Sequence, residues 1–292
     1  FLRIGATGLS AEAGVAGGVA LQLAGVQFGV ALMSAQNDSA RRWVSAKASA
    51  SSIALNGVND VTLSGSDVGF AYNSALGGPD AVVDHGTQAL TVATGTTSSI
   101  DLDMAGSRGE WLQVYGDLDI NVGGFVQTTG QYAFERGVQA VTLADGSVVD
   151  ADVLRMGVEN GTAFAGNPGG AGLNLTGVDL ALALVSARED SSRTWFSLEA
   201  TADAASATGL SDVQLDASNV HVAINQANTA NDAVLDTLVA PITVTTGSST
   251  SMDLALDGGL GELRQVSGDF DVAVADFFSV SGRFAMAQSD QS

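Results

Sequence analysis

The 292-residue chain has no cysteine. That excludes disulfides, thiolate metal sites and cysteine nucleophiles, and it leaves stability to the packing of a core. Proline occurs three times, and Lys47 is the only lysine. Eleven basic residues stand against 32 acidic ones, for a net charge of −21. Such a surface repels nucleic acid and anionic lipid and attracts cations. Histidine is limited to His85 and His221, so few groups can act as the base of a nucleophilic dyad. Aromatic residues make up 6% of the chain, too few for the two aromatic girdles of a membrane β-barrel.

What is present is aspartate, glycine and a repeat. Seven of the acidic residues are Glu and the rest Asp, the residue that suits turns and calcium ligation rather than helices. Moving the sequence by 152 positions, the distance from Leu2 to Leu154, aligns its halves without a gap. Leu2, Arg3 and Gly5 fall on Leu154, Arg155 and Gly157; Trp43 falls on Trp195, Asn73 on Asn225, and Gly116-Asp117 on Gly268-Asp269. This is the signature of a duplication. It divides the chain into a first β-rich repeat at 1–137, joining strand or strands at 138–152 and a second repeat at 153–292. The first residues show no leader pattern, and the chain is expected to be a window on a longer array.

Within each copy the period is two. Leu118, Ile120 and Val122 alternate with Asp117, Asp119 and Asn121, and Phe270, Val272 and Val274 alternate with Asp269, Asp271 and Ala273; the apolar members are expected in the core and the aspartates in solvent. Gly123-Gly124 reads as a hairpin turn, and Ala275-Asp276, at the matching position, as a poorer one. Further strands are expected at 26–34, 42–48, 53–56, 68–73, 89–93 and 100–104, with only a short helical candidate at 228–239. The uncharged stretch Ala13 to Asn37 is long enough for a membrane helix, but its counterpart contains Pro168 and Asp179, so a strand is expected there as well. The fold class is all-β: two tandem copies of an antiparallel β-rich repeat, sandwich-like, with a β-solenoid as the alternative. The chain is not expected to span a membrane.

Few residues offer chemistry. His85 aligns with Thr237 and His221 with Gly69, so no histidine site is repeated. Asp101 and Asp103 lie on one strand face roughly 7 Å apart, but Asp103 becomes Ala255 in the second copy. Asp117 and Asp119 persist as Asp269 and Asp271 and are the better pair for carbohydrate chemistry. A D-A-V-x-D loop occurs twice, as Asp80 to Asp84 and Asp232 to Asp236. Asp80, Asp84, Asp232 and Asp236 are thus the candidate ligands of a hard cation such as calcium, against the plainer reading of a capped turn. Trp43 and Trp195 suit either a core anchor or a sugar-stacking platform.

The doubled blocks GDLDINVGGF and GQYAFE, with the joining stretch TLADGSVVDADVLRMG, resemble the tandem repeats of giant acidic, cysteine-free bacterial extracellular proteins. The resemblance implies an extracellular or cell-surface location and an adhesive, matrix-forming or filament-building role without a catalytic residue. The expected partners are further copies of the chain, joined head to tail, and cell-surface polysaccharide. The alternative is a carbohydrate-active or carbohydrate-binding β-protein using Asp117, Asp119 and aromatic residues.

Overall fold

The computed structural model describes residues 1–292 apart from 16–17, 77–80, 168, 230–231, 276 and 291–292. Asp80, Pro168 and Asp276 therefore lie outside the described residues. Among the described residues there is no α-helix, and the described part of the 228–239 candidate is a bend at 228–229 and irregular chain leading to a turn at 237–239. The strands are β1 (Leu2–Gly14), β2 (Ala20–Ser34), β3 (Arg42–Asn56), β4 (Val61–Leu76), β5 (Leu90–Ala93), β6 (Ser99–Leu102), β7 (Trp111–Val122) and β8 (Val126–Thr142). They continue with β9 (Val148–Gly166), β10 (Gly172–Ala187), β11 (Thr194–Thr208), β12 (Val213–Ala227), β13 (Ile242–Thr245), β14 (Ser251–Leu254), β15 (Glu262–Val274) and β16 (Phe278–Asp290).

The long strands form one open, antiparallel, twelve-stranded order, β1-β2-β3-β4-β7-β8-β9-β10-β11-β12-β15-β16. Short strands expected separately at 42–48 and 53–56 are one strand, because the alternation continues through the Ala and Ser residues between them. The β7–β8 turn follows its glycines: Gly123 and Gly124 have φ of 59° and 72°, the left-handed pair of a two-residue hairpin turn.

The chain forms two compact units. The first comprises Phe1–Asp117 with Glu135–Val138, the second Leu118–Phe134 with Gln139–Ser292, so the division falls inside the β7–β8 hairpin. In the first unit the hairpin β5–β6 packs on β1, β2 and β3. Beneath it Ala31, Ala71, Val92, Leu102, Met104 and Trp111 form a core. In the second unit β13–β14 packs on β9, β10 and β11, over a core that includes Ala181, Ala183, Val185, Trp195, Leu235, Ile242, Val244 and Leu254. Each of the larger aliphatics, fully buried, contributes about 1.5–3 kcal/mol.

The covering hairpins lie so close that the sheet beneath them must be built from small residues. A Cβ on Gly5 would come within 2.4 Å of the Ala93 carbonyl oxygen, and one on Gly157 within 2.1 Å of that of Thr245. Hence Ala181 and Ala183 of β10 point under the hairpin, while Leu184 is 44% exposed on the other face. In each unit what lies over the large antiparallel sheet is thus one short hairpin, which covers part of it. For the same reason the assignment of Leu118, Ile120, Val122, Phe270, Val272 and Val274 to the core is corrected. Val122 and Val274 are exposed and the other four half-buried, because the hairpins cover other stretches of the sheet.

Candidate functional site

The D-A-V-x-D segments are the loops that fasten the sheet to what lies over it. In the second unit, the Trp195 Nε1 donates to the Ala233 carbonyl at 2.8 Å, and the Asn225 Nδ2 to that of Leu235 at 2.7 Å. Asn225 is itself oriented by the Ser197 hydroxyl, which donates to its Oδ1 at 2.8 Å. The first unit repeats this pattern: Trp43 donates to Ala81 at 2.9 Å, Asn73 to Val83 at 2.8 Å, and Ser45 to Asn73 at 2.9 Å. Ser45, Asn73, Ser197 and Asn225 are all fully buried. Polar groups at that depth persist because their hydrogen bonds are made, and each loses about 1–3 kcal/mol if its partner is removed.

The aspartates of the motif serve the same loops. The Asp84 Oδ1 accepts from the Gly86 and Gly106 amides at 3.0 and 2.9 Å. The Gly106 amide first, and Gly86 second, hold its carboxyl below the usual carboxylate range. Asp236 accepts from Val239 and Gly258 at 3.3 and 3.4 Å. Asp232 makes a two-point pair with Arg193, 2.8 Å from both Nε and Nη2, which lowers its pKa and raises that of the arginine. Arg193 lies over the Trp195 ring at 5.1 Å, as Arg41 lies over Trp43 at 5.3 Å. The structure thus brings Asp232 together with an arginine, and Asp84 and Asp236 together with backbone amides. Among the described residues no group of three or more His, Cys, Asp or Glu side chains is placed to hold a metal ion.

One pair looks catalytic until its protons are followed. The His85 Nε2 is 2.9 Å from the Ser45 Oγ. The single hydroxyl proton of Ser45 goes to Asn73, so the imidazole must donate to the serine. A nucleophilic dyad needs the opposite polarity, together with access to substrate. Burial, opposed by the nearby Asp84 and Asp103 carboxylates, pushes the His85 imidazole below its usual range. Thr237 takes its place in the second unit, where its hydroxyl accepts from the Leu256 amide at 2.7 Å. His221 lies half-buried on β12, 3.2 Å from Glu199.

Most of the remaining carboxylates are dispersed, but Asp216 and Asp271 are cross-strand partners on β12 and β15. Asp101 and Asp253 each accept from the threonine across their hairpin, Thr91 and Thr243, and Asp103 pairs with Lys47 at 2.8 Å. Asp119 and Asp271 are exposed, while Asp117 and Asp269 are half-buried. Asp269 is held by Asn219 and Arg283. Asp271 lines a polar hollow with Gln214 and Asp216. A larger hollow of about 700 Å³ in the second unit has Leu154, Leu184 and Phe196 among its walls and Asp152 as its one carboxylate, so it lacks the pair a glycosidase uses. Sequence reasoning missed the Ser–Asn–Trp fastening, although Ser45/Ser197, Asn73/Asn225 and Trp43/Trp195 all keep their identity at the 152-residue offset. No family model, no curated protein and no solved structure matches the chain.

Proposed function

We propose that the chain is a structural, adhesive module of a bacterial extracellular or cell-surface protein, made of two tandem copies of one repeat at 1–137 and 153–292 and devoid of enzymatic activity. The observation that carries this reading is the recurrence of one set of fastenings, Ser45–Asn73–Trp43 and Ser197–Asn225–Trp195, each tied to the backbone of its own D-A-V-x-D loop. The serine, asparagine and tryptophan side chains common to both copies hold loops down, whereas His85 and His221 occur in one copy each. The acidic pair kept at the offset, Asp117 and Asp119 with Asp269 and Asp271, is what the carbohydrate-binding alternative would use. Calcium enters the proposal as a bridge between acidic loops of neighbouring molecules, since Asp232 already has Arg193 as its cation. Cell-surface polysaccharide is the proposed external partner, and the hollow beside Asp271 is where the carbohydrate-binding alternative would be sought.

Pulling the chain from its two ends tests the load-bearing role. Two unfolding steps are expected, each releasing about 450–500 Å of contour length, from about 140 residues at roughly 3.3–3.6 Å each. A single step, or extension without resistance, would overturn the two-module reading. Protease treatment of intact source cells should release peptides of this chain; their appearance only after lysis would overturn the extracellular assignment.

A further inference from the structure

The two ends of the strand order show which surface a neighbour would meet. At the 152-residue offset β16 corresponds to β8, with Ser281 on Thr129, Gly282 on Gly130 and Phe284 on Tyr132. The outer edge of β8 is filled by β9. The Thr129 Oγ1 lies 2.7 Å from the Thr162 Oγ1. A Cβ on Gly130 would come within 2.9 Å of the Gly161 Cα, and Tyr132 is 6% exposed. Among the described residues β16, by contrast, ends the order, with β15 as its ladder neighbour. A Cβ on Gly282 would meet nothing within 4 Å, and Phe284 is 47% exposed.

At the other end β1 stands to β2 as β9 stands to β10. Leu2 faces Leu32 as Leu154 faces Leu184, and Gly5 faces Gly29 as Gly157 faces Ala181. β1 therefore turns outward the edge that β9 gives to β8. β1 carries register shifts between Ala6 and Leu9 and between Leu9 and Ala11, but β9 carries their counterparts against β10 and still pairs with β8, so they do not close this edge. Both β1 and β16 are 13 residues long, with no proline or lysine. Arg283 is drawn to Asp269 of its own sheet, and Arg3 to the Thr91 carbonyl.

We propose that β16 of one molecule adds to β1 of a second copy of this chain as an antiparallel strand, in the β8–β9 register, which places Ser281 beside Ser10 of the second copy. This rests on the repeat reading above and gives it an interface. Main-chain hydrogen bonds supply the affinity, as in strand addition generally. The contact joins two different edges, so it leaves an unlike edge at each end and generates an open series rather than a closed pair.

The missing cysteines make the test direct. Ser10→Cys and Ser281→Cys chains are mixed under mild oxidation; Thr129→Cys with Thr162→Cys in one chain serves as the intramolecular control for the template pair. The mixed disulfide between the two single variants is expected in large excess over either like-with-like product. A chain carrying both substitutions should give a ladder of linked multimers that reductant collapses. Val280→Lys in that chain should abolish the ladder while leaving its melting curve unchanged. Equal yields of all three disulfides, or no multimers although the control bond forms, would overturn the proposal. Two unfolding steps under force with no ladder would sink the edge interface alone, whereas a single step would remove the repeat reading beneath it. A ladder that fails to form when chelator is present during oxidation, and forms once calcium is restored, would assign the bridging cation to this contact.

Discussion

Trp43 and Trp195 occupy equivalent places, make the same bond to a loop carbonyl and carry an arginine over the ring, yet Trp195 is 2% exposed while Trp43 is half-buried. The surroundings differ. Trp195 belongs to a core that includes Val141, Leu143, Ala151 and Val153. These residues come from the end of β8, the turn after it and the start of β9; all but Val153 lie in the stretch expected merely to join the copies. It is fixed in place by Leu143 bridging Leu235, by the Ala144 amide donating to the Val234 carbonyl, and by the Asp236 amide donating to that of Thr142. The comparison teaches that a repeated set of fastenings does not make two equal cores. What closes the second is the strand-turn-strand at 138–152.

The largest effect should come from removing the tryptophan where that closure exists. Trp195→Ala is expected to cost the second unit about 3–5 kcal/mol, the range for emptying a buried aromatic site. Trp43→Ala should cost the first unit clearly less, because part of its ring already meets solvent. Calorimetry of the two variants, with the transitions assigned by local probes, checks this; equal losses would show that residues 138–152 do not set the difference.

A second contrast lies in His85 and Thr237. Burial holds the His85 imidazole below its ordinary value of 6.5, so the native first unit binds fewer protons than the unfolded chain once the pH drops beneath that value. Its contribution is therefore intact above pH 6.5 and is lost as the pH falls through it toward the lower folded value. The second unit has no such term at Thr237. Lowering the pH from 7.5 to 5.5 should destabilise the first unit more than the second, and His85→Thr should remove the difference. A profile unchanged by that substitution would place the sensitivity elsewhere, with Asp84 and Asp103 the nearest charged groups.

The smallest expected effect sharpens the comparison at the loops. Arg193 and Asp232 are partly exposed, so Asp232→Asn should cost about 1 kcal/mol or less, and the cost should shrink in high salt. Because pairing depresses the Asp232 pKa below 3.8, the pair's contribution is present above that value and fades as acid is added through the folded pKa. A loss of several kcal/mol in denaturant titrations would mean that the carboxylate also holds the loop in a way the ion pair does not account for.

Much of this was legible in residue order. Alternation marked the strands of β7 and β15, Gly123-Gly124 marked a tight turn, and the 152-residue offset singled out Trp43, Asn73 and Asp84 together with Trp195, Asn225 and Asp236. The offset named these residues without naming their role. Asn73 and Asn225 were noticed only as matches, because a hydrogen bond to a loop carbonyl ten residues on depends on how that loop returns over the sheet. Asp84, Asp232 and Asp236 were not told apart for the same reason: an Asp-rich loop looks alike whether its carboxylates face an ion, an arginine or a backbone amide.

What the order of residues determined by itself is local and periodic. The period of two specifies strands and sorts their side chains onto two faces, since successive Cβ atoms must alternate. Which face is covered was decided by tertiary structure. The short hairpins β5–β6 and β13–β14 approach too closely to admit large side chains, so glycine and alanine lie beneath them and leucine lies on the open side. Hydrophobicity predicts that apolar groups seek burial. It cannot say which of two apolar faces a neighbouring hairpin will be close enough to bury.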